Sequence, residues 1–117
     1  MSLALNSNEY LLIYNSKDLL DREAAGYLRT LKSVKINEQD ISKNMLTKTQ
    51  LVEASRKLDV ELMDLLDADK KIDDEFSSEE ILKLLKNQPS LLNTPFILSP
   101  KRSFFIDSPR YLIKEEF

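Results

Sequence analysis

Two aspartates, Asp18 and Asp21, lie at the start of a segment with one apolar face and are candidates for a chemical role. Three residues apart on a helix, they lie on the same side and could together bind a divalent cation or share a proton. The alternative is structural, because an aspartate at a helix start accepts unpaired N–H groups and meets the positive end of the dipole. We favour capping and predict no metal site.

The composition excludes most familiar catalytic chemistry. The 117 residues include no cysteine and no histidine, which removes thiol and disulfide chemistry, Cys/His zinc sites, imidazole catalysis and the Ser-His-Asp triad. The net charge of -3 at pH 7 disfavours nucleic-acid binding, because phosphates require clustered Lys and Arg. With no apolar run of membrane-spanning length and no signal-peptide pattern, we expect a cytoplasmic protein that binds neither membrane nor nucleic acid.

The acidic segment 67–75 is superficially similar to a calcium-binding loop, but its spacing is wrong. Lys71 stands at a ligand position, Ile72 at the position that requires Gly, and Ser78 at the position of the bidentate Glu. A solvated loop is therefore predicted here.

The first part of the chain predicts a βαβ unit. The apolar run 9–14 is typical of a buried central strand, and apolar residues recur at spacings of three and four over 18–31, which indicates a helix. Polar and apolar residues alternate over 33–37 and predict a second strand. Gly26, the only glycine, falls inside the helix, where we expect it to allow close packing against a neighbour.

Two capping boxes predict the starts of further helices. Thr47-x-x-Gln50 opens one helix and Ser77-x-x-Glu80 opens another. Between them, Asp59 is expected to cap a short helix.

The last part of the chain predicts a hairpin and a closing helix. Pro89 marks the end of the preceding helix. The short apolar runs 94–98 and 103–107 are separated by a linker of hairpin length, and Pro109 suits the first turn of a helix over 110–116. The complete predicted order is β-α-β-α-α-α-β-β-α.

Aromatic side chains on the predicted strands belong more often to a core than to a binding surface. Phe104 and Phe105 are adjacent, so in a strand one points inward and the other outward. The outward one is predicted as a candidate interface residue.

With these elements in place, the sequence resembles the arsenate reductase (ArsC) and Spx-like branch of the thioredoxin fold over roughly residues 9–115. The most specific stretch is 84–98, LLKNQPSLLNTPFIL, which is similar to the family segment hP-x-L-[LI]-x-R-P-[IF]-[IV]-[VL] before the third strand. The resemblance implies an α/β (α+β) thioredoxin-like fold with a four-stranded mixed sheet flanked by helices. It implies one domain over 9–117, preceded by a tail of residues 1–8.

The resemblance also identifies the positions of the family's active site. Pro95 matches the proline whose peptide bond is cis, so Thr94–Pro95 is predicted to be cis. The family has a nucleophilic Cys at the end of strand one, then Cys or Ser three residues later, then Arg; aligned on Arg22, the two sulfur positions are Asp18 and Asp21. A carboxylate cannot act as a sulfur nucleophile and repels an oxyanion. A degenerate site with no catalytic residue is therefore implied.

The oxyanion-binding arginines of arsenate reductases are missing from their matching positions. Thr94 and Ser108 stand at two of these positions, and the third falls in 65–67, Leu-Leu-Asp. Arg102 and Arg110 are close by in sequence and could substitute, although an exposed arginine is usually solvated surface.

Three functional hypotheses stay open. The one we favour is a redox-inactive, non-enzymatic thioredoxin-fold protein that acts as a protein-binding or regulatory module. Spx-like relatives bind RNA polymerase, but without a cysteine switch that partner is not carried over. The second hypothesis is a cysteine-free enzyme or small-molecule binder that holds glutathione or an anion near Pro95. The third is a structural or homodimeric protein without a ligand. We predict no cofactor and a monomer or homodimer.

Overall fold

The computed structural model describes residues 9–32, 34–67 and 76–107. The predicted tail 1–8 and closing helix 110–116 lie outside these ranges, as does most of the acidic segment 67–75. The described strands and α-helices are β1 (Glu9–Tyr14), α1 (Leu19–Leu28), β2 (Lys35–Asp40), α2 (Lys48–Leu58), α3 (Ser78–Asn87), β3 (Phe96–Leu98) and β4 (Phe104–Phe105). Within the described residues, short 3-10 helices at Leu62–Leu65 and Pro89–Leu91 precede and follow α3.

The four strands form one mixed sheet in the order β2-β1-β3-β4. β1 runs parallel to β2 and antiparallel to β3, and β4 pairs with β3 in the predicted hairpin. This topology confirms the predicted thioredoxin-like fold. In the described ranges, no helix has the length and apolar character that crossing a membrane requires.

β1 is buried on both faces of the sheet, which explains its continuous apolar sequence. Tyr10, Leu12 and Tyr14 join α1 in one hydrophobic cluster. Leu11 and Ile13 join α2, α3 and the 3-10 helix between them in a larger cluster on the other face. The alternation follows from the geometry of a strand, whose successive side chains point to opposite faces.

β2 begins and ends later than the predicted strand 33–37. It starts at Lys35 and extends to Asp40, because the parallel register aligns Glu9 with Lys35 and Tyr14 with Asp40. The helix between the two strands, α1, ends at Leu28. Arg29, just after it, reaches back to β2 and forms a two-point ion pair with Glu38, with an Nη2–Oε1 distance of 2.6 Å.

Both predicted capping boxes are present, but the predicted role of Asp59 is wrong. Asp59 ends α2 in the left-handed conformation, with φ of 57°, instead of starting a helix. The 3-10 helix begins after Glu61, whose N–H donates to Asp64. Asp59 fits the left-handed position because Asp and Asn adopt it more readily than most residues with a side chain.

The two adjacent phenylalanines point to opposite faces of the sheet, as predicted, but neither is fully exposed. Phe105 packs edge-to-face on Phe96, with ring centroids 5.8 Å apart. Phe104 packs against the cluster on the opposite face of the sheet, and the Arg102 guanidinium lies 5.2 Å from its ring centre. Both rings are half-buried because both faces of the sheet are covered.

Gly26 lies inside α1 as predicted, but close packing is not the reason. The residue is exposed. A Cβ added there would meet no atom of a neighbouring element within 4 Å among the described residues. The expected close approach is therefore wrong, and the glycine only weakens the helix.

Gly26→Ala should raise the free energy of unfolding by about 0.5–1 kcal/mol, because alanine restricts the unfolded chain and the added methyl group has room. Urea unfolding followed by circular dichroism measures the change. Ala25→Gly, one residue earlier in the same helix, is the matched control and should be destabilising. A Gly26→Ala variant less stable than the wild type would show that the position is crowded after all.

Candidate functional site

Asp18 caps the N-terminus of α1. Its backbone is extended, and its Oδ1 accepts hydrogen bonds from the N–H groups of Leu20, at 2.9 Å, and Asp21, at 3.4 Å. The carboxylate is exposed and also lies at the positive end of the helix dipole. The capping interpretation is confirmed for this residue.

Asp21 has a different role from Asp18, although the sequence suggests a pair. It is buried, with 2% of its surface exposed, and its Oδ2 accepts the N–H of Asn15 at 2.8 Å. It shares the inward face of α1 with Ala24, Ala25 and Leu28. The spacing 21, 24, 25, 28 is that of the apolar face, which is the sequence signal that could have indicated burial.

Asp40, at the end of β2, is a supporting residue that the sequence did not reveal. Its Oδ1 accepts the N–H of Ser16 at 3.0 Å, the N–H of Ser42 at 3.1 Å and the Ser42 hydroxyl at 2.7 Å. Partial burial acts to raise the pKa of this carboxyl. The hydrogen bonds from Ser16 and Ser42 outweigh burial and hold the pKa well below its usual range.

These two carboxylates fix the loop 15–17, which connects β1 to the capped start of α1. Asp21 accepts the N–H of Asn15, and Asp40 accepts the N–H of Ser16. Arg22 adds a third restraint, because its Nη1 donates to the Ser16 carbonyl at 3.0 Å. The position and direction of the α1 N-terminus are therefore set from both the helix and the neighbouring strand.

A cleft of about 250 Å³ lies beside this N-terminus. The Thr94–Pro95 peptide bond in its wall is cis, as predicted. Four of the six residues identified from the resemblance line the cleft, namely Asp18, Asp21, Thr94 and Pro95. Arg22 is not among the described residues that line it. The described lining residues are Asp18, Leu20, Asp21, Asp67, Asn93, Thr94, Pro95, Ile106 and Asp107.

The wall opposite α1 is held by backbone hydrogen bonds. The N–H of Asn93 donates to the Leu65 carbonyl at 2.7 Å, and the N–H of Asp67 donates to the Leu91 carbonyl at 2.8 Å. On the β4 side, the N–H of Ile106 donates to the Pro95 carbonyl at 3.0 Å. Asp67, from the segment where the family has its third arginine, consequently lines the cleft.

The charge of the cleft is opposite to that of an oxyanion site. Four of its described lining residues are aspartates, and none is Lys or Arg. Arg102, which could have replaced a missing arginine, instead packs over Phe104. Ser108 and Arg110 lie outside the described residues. Among the residues that the structure describes, no three acidic side chains are arranged to hold a metal ion.

Larger depressions lie elsewhere on the surface. One of about 420 Å³ is where α2 meets the following 3-10 helix, around Asp59. Another of about 420 Å³ is between the loop 15–17 and the end of α3. Both are wide open to solvent, and neither contains a residue of the predicted site.

Two leucines project into solvent beside the cleft. Leu19 is 59% exposed and Leu20 is 54% exposed. Among the residues that the structure describes, they are the exposed large apolar side chains. The apolar spacing over 18–31 predicts that Leu20 shares a face with Ala24 and Leu28, and this is wrong, because those two are buried and Leu20 is exposed. Leu19 was not singled out by the spacing.

Solved structures of arsenate reductases are similar to this chain. An arsenate reductase from Vibrio cholerae has a TM-score of 0.76 at 13% sequence identity, over 93% of this chain and 98% of that chain. A possible arsenate reductase from Streptococcus mutans UA159 has a TM-score of 0.62 at 17% identity, over 86% of this chain and 91% of that one. The sequence matches no family model and no curated protein. The similarity shows that the chain has the fold of these proteins.

Asp18→Ala should lower the free energy of unfolding by about 1 kcal/mol, because alanine cannot accept the N–H groups of Leu20 and Asp21. Asp18→Asn should stay within about 0.5 kcal/mol of the wild type, because asparagine caps a helix as well as aspartate does. Urea unfolding at neutral pH measures both variants. An Asn variant as unstable as the Ala variant would show that the charge, and not the cap, is what the fold needs.

Asp40→Asn should lower the free energy of unfolding by about 1–2 kcal/mol at neutral pH, because an amide accepts these hydrogen bonds more weakly than a carboxylate. The pKa of Asp40 is lower in the native state than the value of about 3.9 in the unfolded chain. Its contribution is therefore complete well above that value, begins to fall as the pH drops below it, and is lost once the pH has passed the lower native pKa.

The difference in stability between wild type and Asp40→Asn should accordingly shrink as urea unfolding is repeated from pH 7 down to about pH 3. A difference that stays constant over this range would mean that ionised Asp40 does not hold the loop.

Proposed function

We propose that this chain is a redox-inactive relative of the arsenate reductases, a pseudoenzyme that acts in the cytoplasm by binding a partner protein. The observation that carries the proposal is the occupant of the α1 N-terminus. Asp18 there accepts the N–H groups of Leu20 and Asp21, at the position where the resemblance expects a nucleophilic sulfur. A carboxylate cannot perform thiol–disulfide exchange, and the chain has no cysteine to replace it.

The geometry also argues against an oxyanion substrate. The helix N–H groups that could bind an anion already donate to Asp18. Asp107 adds further negative charge to the cleft. An incoming arsenate or phosphate would meet repulsion where a reductase needs attraction.

The described arginines near this end of the molecule are engaged outside the cleft. Arg22 donates to the Ser16 carbonyl, and Arg102 lies over the ring of Phe104. Their positions do not offer the planar, two-point grip by which arginine usually binds oxyanions.

Binding of a protein is supported by the two exposed leucines at the start of α1. Covering apolar surface contributes roughly 25 cal/mol per Å², so a partner that covers Leu19 and Leu20 gains more here than elsewhere on the described surface. Exposed large apolar side chains next to a cleft are a feature of interaction sites. A protein-binding module uses such a surface without any chemical step.

The proposal predicts site-specific cross-linking to a partner. Leu20→Cys introduces the only thiol of the chain, which can be labelled with a benzophenone maleimide and irradiated in a lysate of the native cells. A discrete protein adduct is expected, and adding Leu19→Ser in the same chain should reduce its yield because part of the apolar contact is lost. Lys83→Cys, exposed on α3, is the matched control and should give no such adduct.

Equal adduct patterns from the two labelled positions would contradict the proposal. Calorimetry with glutathione, arsenate and phosphate tests the alternative function in parallel. We expect no heat of binding from any of the three, because the cleft is acidic. Heat at a stoichiometric ratio would instead support a small-molecule binder or a cysteine-free enzyme.

A further inference from the structure

We propose that the exposed leucines of α1 and the adjoining cleft bind an extended partner segment in which an arginine or lysine stands next to apolar residues. This inference rests on the proposed protein-binding function and specifies the chemistry of the partner. The partner's cationic side chain would enter the cleft, and its apolar neighbours would cover Leu19 and Leu20.

The apolar and acidic surfaces are continuous, because Leu20 belongs to both. It is 54% exposed on α1, and it also lines the cleft with Asp18 and Asp107. One short segment can therefore contact all three residues at once. The cleft volume of about 250 Å³ is below the range of about 300–1,000 Å³ that is usual for whole ligands. It suits a single long side chain.

The charge of the cleft selects a cationic side chain. Asp18 and Asp107, both exposed, are carboxylates at its rim. None of the lining residues that the structure describes is a cation. Complementary charge at an interface favours the matching partner and excludes one of the same sign.

A side chain fits this site better than a free cation does. The described residues contain no metal-binding arrangement of three acidic groups. Arginine and lysine have an apolar stem and a charged head. The stem can lie along Leu20 while the head reaches the carboxylates.

The experiment measures the fluorescence anisotropy of a labelled, end-capped peptide, Gly-Ser-Gly-Leu-Arg-Leu-Gly-Ser-Gly, with the full chain. Replacing its arginine by citrulline removes the charge and keeps the shape, and should weaken binding by about threefold to fivefold. Replacing both leucines by serine should also weaken binding. Raising the salt from about 50 to 300 mM should weaken binding of the arginine peptide and not of the citrulline peptide.

Variants of the protein locate the site. Asp18→Asn keeps the helix cap and removes one charge, so it should weaken binding by about threefold. Asp18→Asn with Asp107→Asn should weaken binding by about tenfold if the two effects add. Asp59→Asn changes the net charge equally at a different depression and is the matched control. It should leave binding unchanged.

Several results would overturn this inference. One is equal binding of the arginine and citrulline peptides, and another is an equal effect of Asp18→Asn and Asp59→Asn. A large gain in peptide affinity in Arg110→Gln would assign the cleft to the chain's own arginine. A dimer in sedimentation that Leu19→Ser with Leu20→Ser dissociates would assign the surface to a second copy.

The cross-linking experiment separates this inference from the proposed function. Adducts at Leu20→Cys that persist unchanged in Asp18→Asn with Asp107→Asn would leave protein binding in place and refute the cationic segment. Absence of adducts would refute both.

Discussion

The burial of β1 on both faces is the constraint on which the rest of this structure depends. The strand is paired on both edges, with β2 and β3, and each of its faces belongs to a separate hydrophobic cluster. The two layers of helices are therefore organised around six residues. The chain leaves this strand at the edge of the cleft, so the same burial that stabilises the fold also determines where the loop 15–17 and the start of α1 must lie.

The loop after β1 shows how the architecture is kept while the chemistry changes. Asp21 and Asp40 hold the loop from the helix and from the next strand, and Asp18 completes the turn by capping α1. None of these interactions needs sulfur. A carboxylate satisfies the same N–H groups and the same dipole that would stabilise a thiolate, so the fold tolerates the exchange although a thiol reaction does not.

The sequence was informative where the physical signal is local and uninformative where it depends on distant parts of the chain. The apolar run of β1 and the capping boxes at Thr47 and Ser77 predicted their elements, because the determining residues are within a few positions of each other. The cis bond at Pro95 came from the resemblance. The role of Asp40 in holding the loop 15–17 could not be found, since Ser16 is 24 residues away from it in sequence. The role of Asp59 was misjudged because aspartate occurs both before the first turn of a helix and, in the left-handed conformation, after the last.

The outer strands of the sheet bear on how copies of the chain meet. An exposed strand edge is a template for pairing with another strand, and proteins counter this with charged residues or very short edges. In the described part of the chain, β2 forms one edge and carries Lys35, Glu38 and Asp40, whereas β4, at the other edge, has only two residues. Each edge is thus protected against the edge-to-edge pairing that leads to fibrils. The β2 edge is protected by its charged residues, and the β4 edge by its short length.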